Sequence, residues 1–389
     1  MILQLYLHFP FCKRKCFYCD FCSCAAPPET VAAYCDALQK EIRMLGDTYT
    51  GARVSTVFLG GGTPSLVPAE AMARVLRELR THFDILPDAE FTAEANPGTL
   101  SEEWLLTMRQ YGLNRLSLGM QAAQDRLLRA VGRIHTFAEA ERAVALARKG
   151  GIANLNLDII FGLPTQTVRD YRETVDAACG LAPEHISAYS LILEENTPLF
   201  DAVKRGAHKL PDEDETADMY ALGIDWLAAR GYRQYEVSNF ARPDYACRHN
   251  IGYWQGAWYL GLGVAAHGML PPDREQAAGG VRRIRRANTA HLESYLAALN
   301  ENRLPVQDEQ PIGIEEAMFE TMMLGLRMSD GVSGADFLQM HGRSLRQIYG
   351  SELDALVTEG LALWRGDGRF ALTARGLALQ NDVLLRLMP

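Results

Sequence analysis

Six short apolar runs rich in β-branched residues alternate with amphipathic stretches through the first half of this chain. Few folds accept that order. The strand candidates are Leu3–His8, Val54–Leu59, Glu90–Ala95, Arg115–Gly119, Leu155–Ile160 and Ile186–Ile192. Between them lie helical patterns at Thr30–Leu45, Ala69–His82, Glu102–Tyr111, Phe137–Lys149 and Val168–Cys179, with apolar residues at helical spacing. Repeated strand–helix units imply a parallel sheet with outer helices. Six units are too few to close an eight-stranded barrel, so the expected architecture is an α/β partial, laterally open (β/α)6 barrel over residues 1–240.

The unusual residues cluster at one end of those strands. A cysteine-rich loop follows the first, and Gly60-Gly61-Gly62-Thr63-Pro64 follows the second. Glu94-Ala95-Asn96-Pro97 ends the third, Gly119-Met120-Gln121 the fourth, and Asp158 lies on the fifth. All fall toward the C-terminal edge, where α/β barrels build their sites.

The cysteine loop, "FCKRKCFYCDFCSC", holds five of the chain's eight cysteines within thirteen residues. Cys12, Cys16 and Cys19 stand at CxxxCxxC spacing, and Cys22 and Cys24 follow. Three readings compete. A structural zinc site needs a fourth ligand, which Cys22 or Cys24 could supply. Cys16 and Cys19 alone form a CxxC redox pair. A [4Fe–4S] cluster on three thiolates leaves one iron open. Zinc motifs usually bring a second CxxC knuckle, and none occurs here, so the cluster is preferred.

With that loop in place, the chain resembles the radical S-adenosylmethionine (SAM) superfamily. The resemblance implies that SAM chelates the open iron through its amino and carboxylate groups. It also implies that an electron from the cluster cleaves the sulfonium to methionine and a 5′-deoxyadenosyl radical. Gly61, Gly62 and Thr63 would meet the methionyl end, since glycines let backbone approach a ligand closely. Tyr6, Glu94, Gln121, Arg133 and Asp158 match the family pattern as further SAM contacts.

"YLHFPFC", "GGGTPSL", "AEANPGTL", "LSLGMQ", "VGRIH" and "LDIIFGLPTQT" occur in the order found in the coproporphyrinogen dehydrogenase (HemN) group. That group contains dehydrogenases, which decarboxylate coproporphyrinogen III, and HemW-type heme chaperones. Dehydrogenases typically extend the motif to CxxxCxxCxC and carry a long N-terminal arm. Here Phe21 stands at the added cysteine position and the first strand starts almost at Met1. The chaperone class is therefore expected, with the dehydrogenase as the alternative. "HNIGYW" matches the HNxxYW motif of that class and implies His249 as a heme ligand, with Cys247 as rival and His267 a weaker candidate left outside the site. Cys22 and Cys24 are read as spare thiols.

Residues 241–300 read as the heme-motif loop and a connecting segment, 271–281 as exposed loop and 301–311 as a linker. Beyond it, 312–389 reads as a small, mostly helical, winged-helix-like module with a hairpin at "LWRGDGRFAL", taken as a lid or docking piece. Acidic residues outnumber basic ones, 48 to 39. This argues against nucleic acid as a partner. Lys13-Arg14-Lys15 and Arg282 to Arg286 are local exceptions, read as solvated loops. The chain shows neither a signal peptide nor eighteen consecutive apolar residues. A cytoplasmic location is expected, with membranes reached only through partners. Those partners would be an electron donor for the cluster and respiratory heme-accepting proteins.

Overall fold

The structure, a computed structural model, describes residues 1–388. The six expected strands are present: β1 (Ile2–Phe9), β2 (Arg53–Gly61), β3 (Asp84–Ala95), β4 (Arg115–Gln121), β5 (Asn154–Phe161) and β6 (His185–Ser190). They pair in parallel in chain order. Side chains alternate across each strand. On β1, Leu5, Leu7 and Phe9 join the core under the outer helices, while Gln4, Tyr6 and His8 take the opposite face.

Each outer helix presents one apolar stripe to that core. In Ala69–His82 the buried positions Met72, Val75, Leu76 and Leu79 recur every three or four residues. The helix Phe137–Lys149 starts on a capping box in which Thr136 and Glu139 satisfy each other's backbone donors. The inner face of the sheet is polar: Thr56, Glu90, Arg115, Ser117, Asn156 and His185 are all buried there or nearly so. Burying polar groups costs about 1–3 kcal/mol each unless they are paired. Accordingly Asn156 bonds Ser117 at 2.7 Å and His185 at 2.6 Å.

The sheet extends beyond β6 on one side and before β1 on the other. β7 (Arg233–Gln234) and β8 (Asn239–Ala241) pair antiparallel, with β8 on β6. β9 (Tyr259–Leu262) runs parallel to β1, followed by antiparallel β10 (His267–Leu270), β11 (Arg283–Asn288) and β12 (Val306–Ile312). The twelve-stranded order β12-β11-β10-β9-β1-β2-β3-β4-β5-β6-β8-β7 leaves the barrel open.

Three sequence expectations are corrected here. The segment read as a linker contains β12, an exposed edge strand whose "VQDEQPI" hides its period behind charges and a proline. The basic run lies mostly on β11 and is neutralised by acids: Arg286 pairs with Glu309 at 2.9 Å, while Arg285 and Arg283 both face Glu320. The 271–281 stretch also carries a short exposed helix, Arg274–Ala278.

A second core packs the C-terminal part, with Met322, Phe337, Leu353, Leu356 and Phe370 at its centre. Helices there lean on a small sheet of β13 (Val332–Ser333), β15 (Arg369–Leu372) and β14 (Ala362–Trp364). The β14–β15 hairpin turns at Gly368, whose φ of 80° suits glycine. Among the described residues no helix is long and apolar enough to cross a membrane.

Candidate functional site

Strand register brings the polar strand ends into one row. Gly61 pairs with Phe9, Glu94 with Ser117, and Gly119 with Asp158. Above them the cysteine loop is pinned at its neck, where the Cys12 N–H donates to Cys24 O at 2.9 Å and the Cys24 N–H to Pro10 O at 2.8 Å. Cys12, Cys16 and Cys19 then face a cavity of about 420 Å³. Gly61, Gly62, Glu94, Gln121, Arg133 and Asp158 line the same cavity. Cys22 and Cys24 lie together against a different surface pocket.

Arg133 links the loop to the strands. Its guanidinium donates to Asn96 Oδ1 at 2.6 Å, to Gly119 O at 2.7 Å and to Cys16 Sγ at 3.5 Å. Two carboxyls lie opposite. Asp158 accepts from Ser117 at 2.9 Å and Asn156 at 2.8 Å, yet burial still holds its pKa above the usual range. Among the described residues Glu94 accepts only the Gly61 N–H, at 3.2 Å; burial, with Asp158 nearby, pushes it up to about 8.

A bound cluster and SAM fit these residues. The Gln121 side-chain oxygen is buried without a partner, and the residue is held at a φ of 66° where β4 ends. An unpaired buried acceptor at a strained position on a cavity wall suits a ligand donor. The glycine loop is equally tight: a Cβ on Gly61 would stand 2.5 Å from the His8 ring, and one on Gly62 2.7 Å from Phe11 O. Among the described residues no three His, Cys, Asp or Glu side chains meet around a single ion. A cubane instead takes one thiolate on each of three irons, so its donors ring a volume.

Known proteins resemble this chain along nearly its whole length. Residues 6–178 match the Radical SAM superfamily and 314–379 the HemN C-terminal domain. A heme chaperone HemW of Bacillus subtilis is 35% identical, covering 97% of each chain. The chain belongs to the HemW family. The Escherichia coli HemW is 33% identical, over 98% of this chain and 97% of its own. Among solved structures, the E. coli coproporphyrinogen III oxidase HemN has a TM-score of 0.84 at 24% identity, covering 99% of this chain and 90% of that one; this shows the shared fold. Radical SAM membership implies a [4Fe–4S] cluster and SAM.

Within this HemW-family chain, three expected residues lie elsewhere. Thr63 is buried behind the cavity, 3.6 Å from Cys12 Sγ and accepting from Asn96 at 2.8 Å. Tyr6 stacks on Phe58 and meets His8 Nδ1 at 3.0 Å, on the wall of a second, larger cavity. His249 reaches neither cavity. It is 1% exposed, with Nδ1 bonded to Thr56 at 2.7 Å and Nε2 to Tyr253 at 2.9 Å. Burial pushes its imidazole down to about 3. Its neighbour Cys247 is also buried, donating to Glu90 at 3.3 Å, with a thiol pushed up to about 12.

Asn96 is among the lining residues that the HemW-type sequence reading did not assign to the site. It lines the cluster cavity and bridges Thr63 to Arg133. Its signal was present, since it falls two residues after Glu94 at the C-terminal end of β3, in phase with it.

Proposed function

We propose that this protein is a heme chaperone that carries a [4Fe–4S] cluster on Cys12, Cys16 and Cys19 and binds SAM beside it. The observation that carries this reading is end-to-end similarity to proteins named heme chaperone HemW, at 35% identity over 97% of both chains. Phe21 supports it, standing where dehydrogenases add a cysteine. When bound, the cluster supplies electrons and an open iron for SAM.

The protein's own residues divide the remaining work. Gly61 and Gly62 let backbone approach the ligand, Gln121 and Glu94 offer acceptors, and Arg133 braces Cys16 against β4. An electron donor would reduce the cluster, and heme would pass to respiratory heme-accepting proteins. A cytoplasmic site of action, and a link to porphyrin metabolism through heme, belong to the same reading.

The test is anaerobic reconstitution followed by hemin titration, SAM binding and transfer of heme to an apo-heme protein. Stoichiometric binding and transfer support the reading. A protein that binds SAM but no heme overturns it.

A further inference from the structure

Beside the cavity that the three cysteines face lies a second one of about 580 Å³. The two meet at Phe21, Gly61 and Glu94. Its volume falls within the roughly 300–1,000 Å³ of small-molecule sites, and its walls are strongly aromatic. Tyr253, Trp254 and Tyr259 line it, aromatic rings of the kind that pack against a macrocycle.

Two histidines line this cavity. His8 is engaged through both ring nitrogens, by Tyr6 Oη at 3.0 Å and Cys22 O at 2.8 Å. His267 begins β10, is exposed to the cavity, and has no side-chain hydrogen bond among the described residues. An anion partner is present as well. Arg283 is 5% exposed, and its Nη1 lacks a hydrogen bond although Glu320 stands 3.7 Å away.

On these grounds, and resting on the heme-chaperone reading, we propose that heme binds in this second cavity with His267 as its axial ligand. Arg283 would meet a propionate. His249 is then a positioning residue: its bonds to Thr56 and Tyr253 hold the Tyr253 ring on the cavity wall. An exposed imidazole with an unengaged ring nitrogen can ligate iron directly. The buried one would first have to break two hydrogen bonds and turn outward.

The test is hemin titration of cluster-loaded, full-length protein, read by the Soret band and by electron paramagnetic resonance. His267→Ala should lose the wild-type histidine-ligated spectrum and weaken hemin binding by about tenfold or more. Added imidazole should restore the spectrum. His249→Gln should keep the histidine-ligated spectrum while weakening hemin binding through a displaced Tyr253 ring; loss of that spectrum would make His249 the ligand and overturn the proposal. His267→Ala protein that keeps the wild-type spectrum overturns the proposal, as does loss that imidazole does not repair. If the wild type itself binds no hemin, the chaperone reading fails first.

Discussion

The Glu94 carboxylate accepts the Gly61 N–H at 3.2 Å, tying the end of β3 to the end of β2 beside the cysteine loop. Burial, then Asp158, raises Glu94 to about 8. As an acceptor for SAM it acts best when ionised. SAM affinity should therefore rise with pH by up to roughly tenfold per unit below 8 and then level off. Glu94→Gln should weaken binding about tenfold or more and flatten that profile, because hydrogen bonds to charged groups contribute about 1.5–3 kcal/mol. Calorimetry across pH 6–9 reads both effects, and an unchanged profile in the variant would remove Glu94 from the site.

Stability runs the other way. A folded pKa above the unfolded one favours the native state fully at pH values below the unfolded carboxyl value. That contribution is lost as pH rises through about 8. In ligand-free protein, Glu94→Gln should raise Tm more at pH 9 than at pH 5. Equal shifts at both pH values would contradict the raised pKa.

Arg133 is a brace whose Nη2 holds a side-chain acceptor, Asn96 Oδ1, and a backbone one, Gly119 O. Arg133→Lys keeps the charge, but one ammonium cannot span both the Asn96–Gly119 pair held by Nη2 and the Cys16 Sγ reached by Nη1. One buried acceptor left unpaired costs about 1–3 kcal/mol. Denaturant melts should show that loss, together with less cluster per chain because Cys16 is no longer supported. Full stability and full iron content in this variant would show that the fork is dispensable.

The cysteines separate cleanly by position. Cys12, Cys16 and Cys19 face the first cavity, whereas Cys24 faces a surface pocket and Cys22 stands between that pocket and the second cavity. Replacing any of the first three by Ala should abolish the iron–sulfur absorbance after reconstitution, while Cys22→Ser and Cys24→Ser should keep most of it. Equal loss in all five would point to a larger ligand set.

Much of this was legible from residue order. β1–β6 read correctly because short β-branched runs bounded by glycine and proline leave few alternatives. Site-building loops at one sheet edge follow from that pattern, which is why Gly61, Glu94, Gln121 and Asp158 could be placed together. β12 was not legible, because an exposed edge strand needs charges that erase its alternation. Local sequence also could not tell that His249 faces inward. A hint lay in the spacing: His249 and Tyr253 stand four apart on one helix face, so their side chains meet.

The central claim is that the protein carries heme, with its SAM site serving that task, and does not oxidise porphyrinogens. Reconstituted protein with reductant and SAM should be given coproporphyrinogen III in one reaction and hemin in another. The expected result is stoichiometric hemin binding, transfer to an apo-heme protein, and no protoporphyrinogen. Accumulating protoporphyrinogen without hemin binding would contradict it.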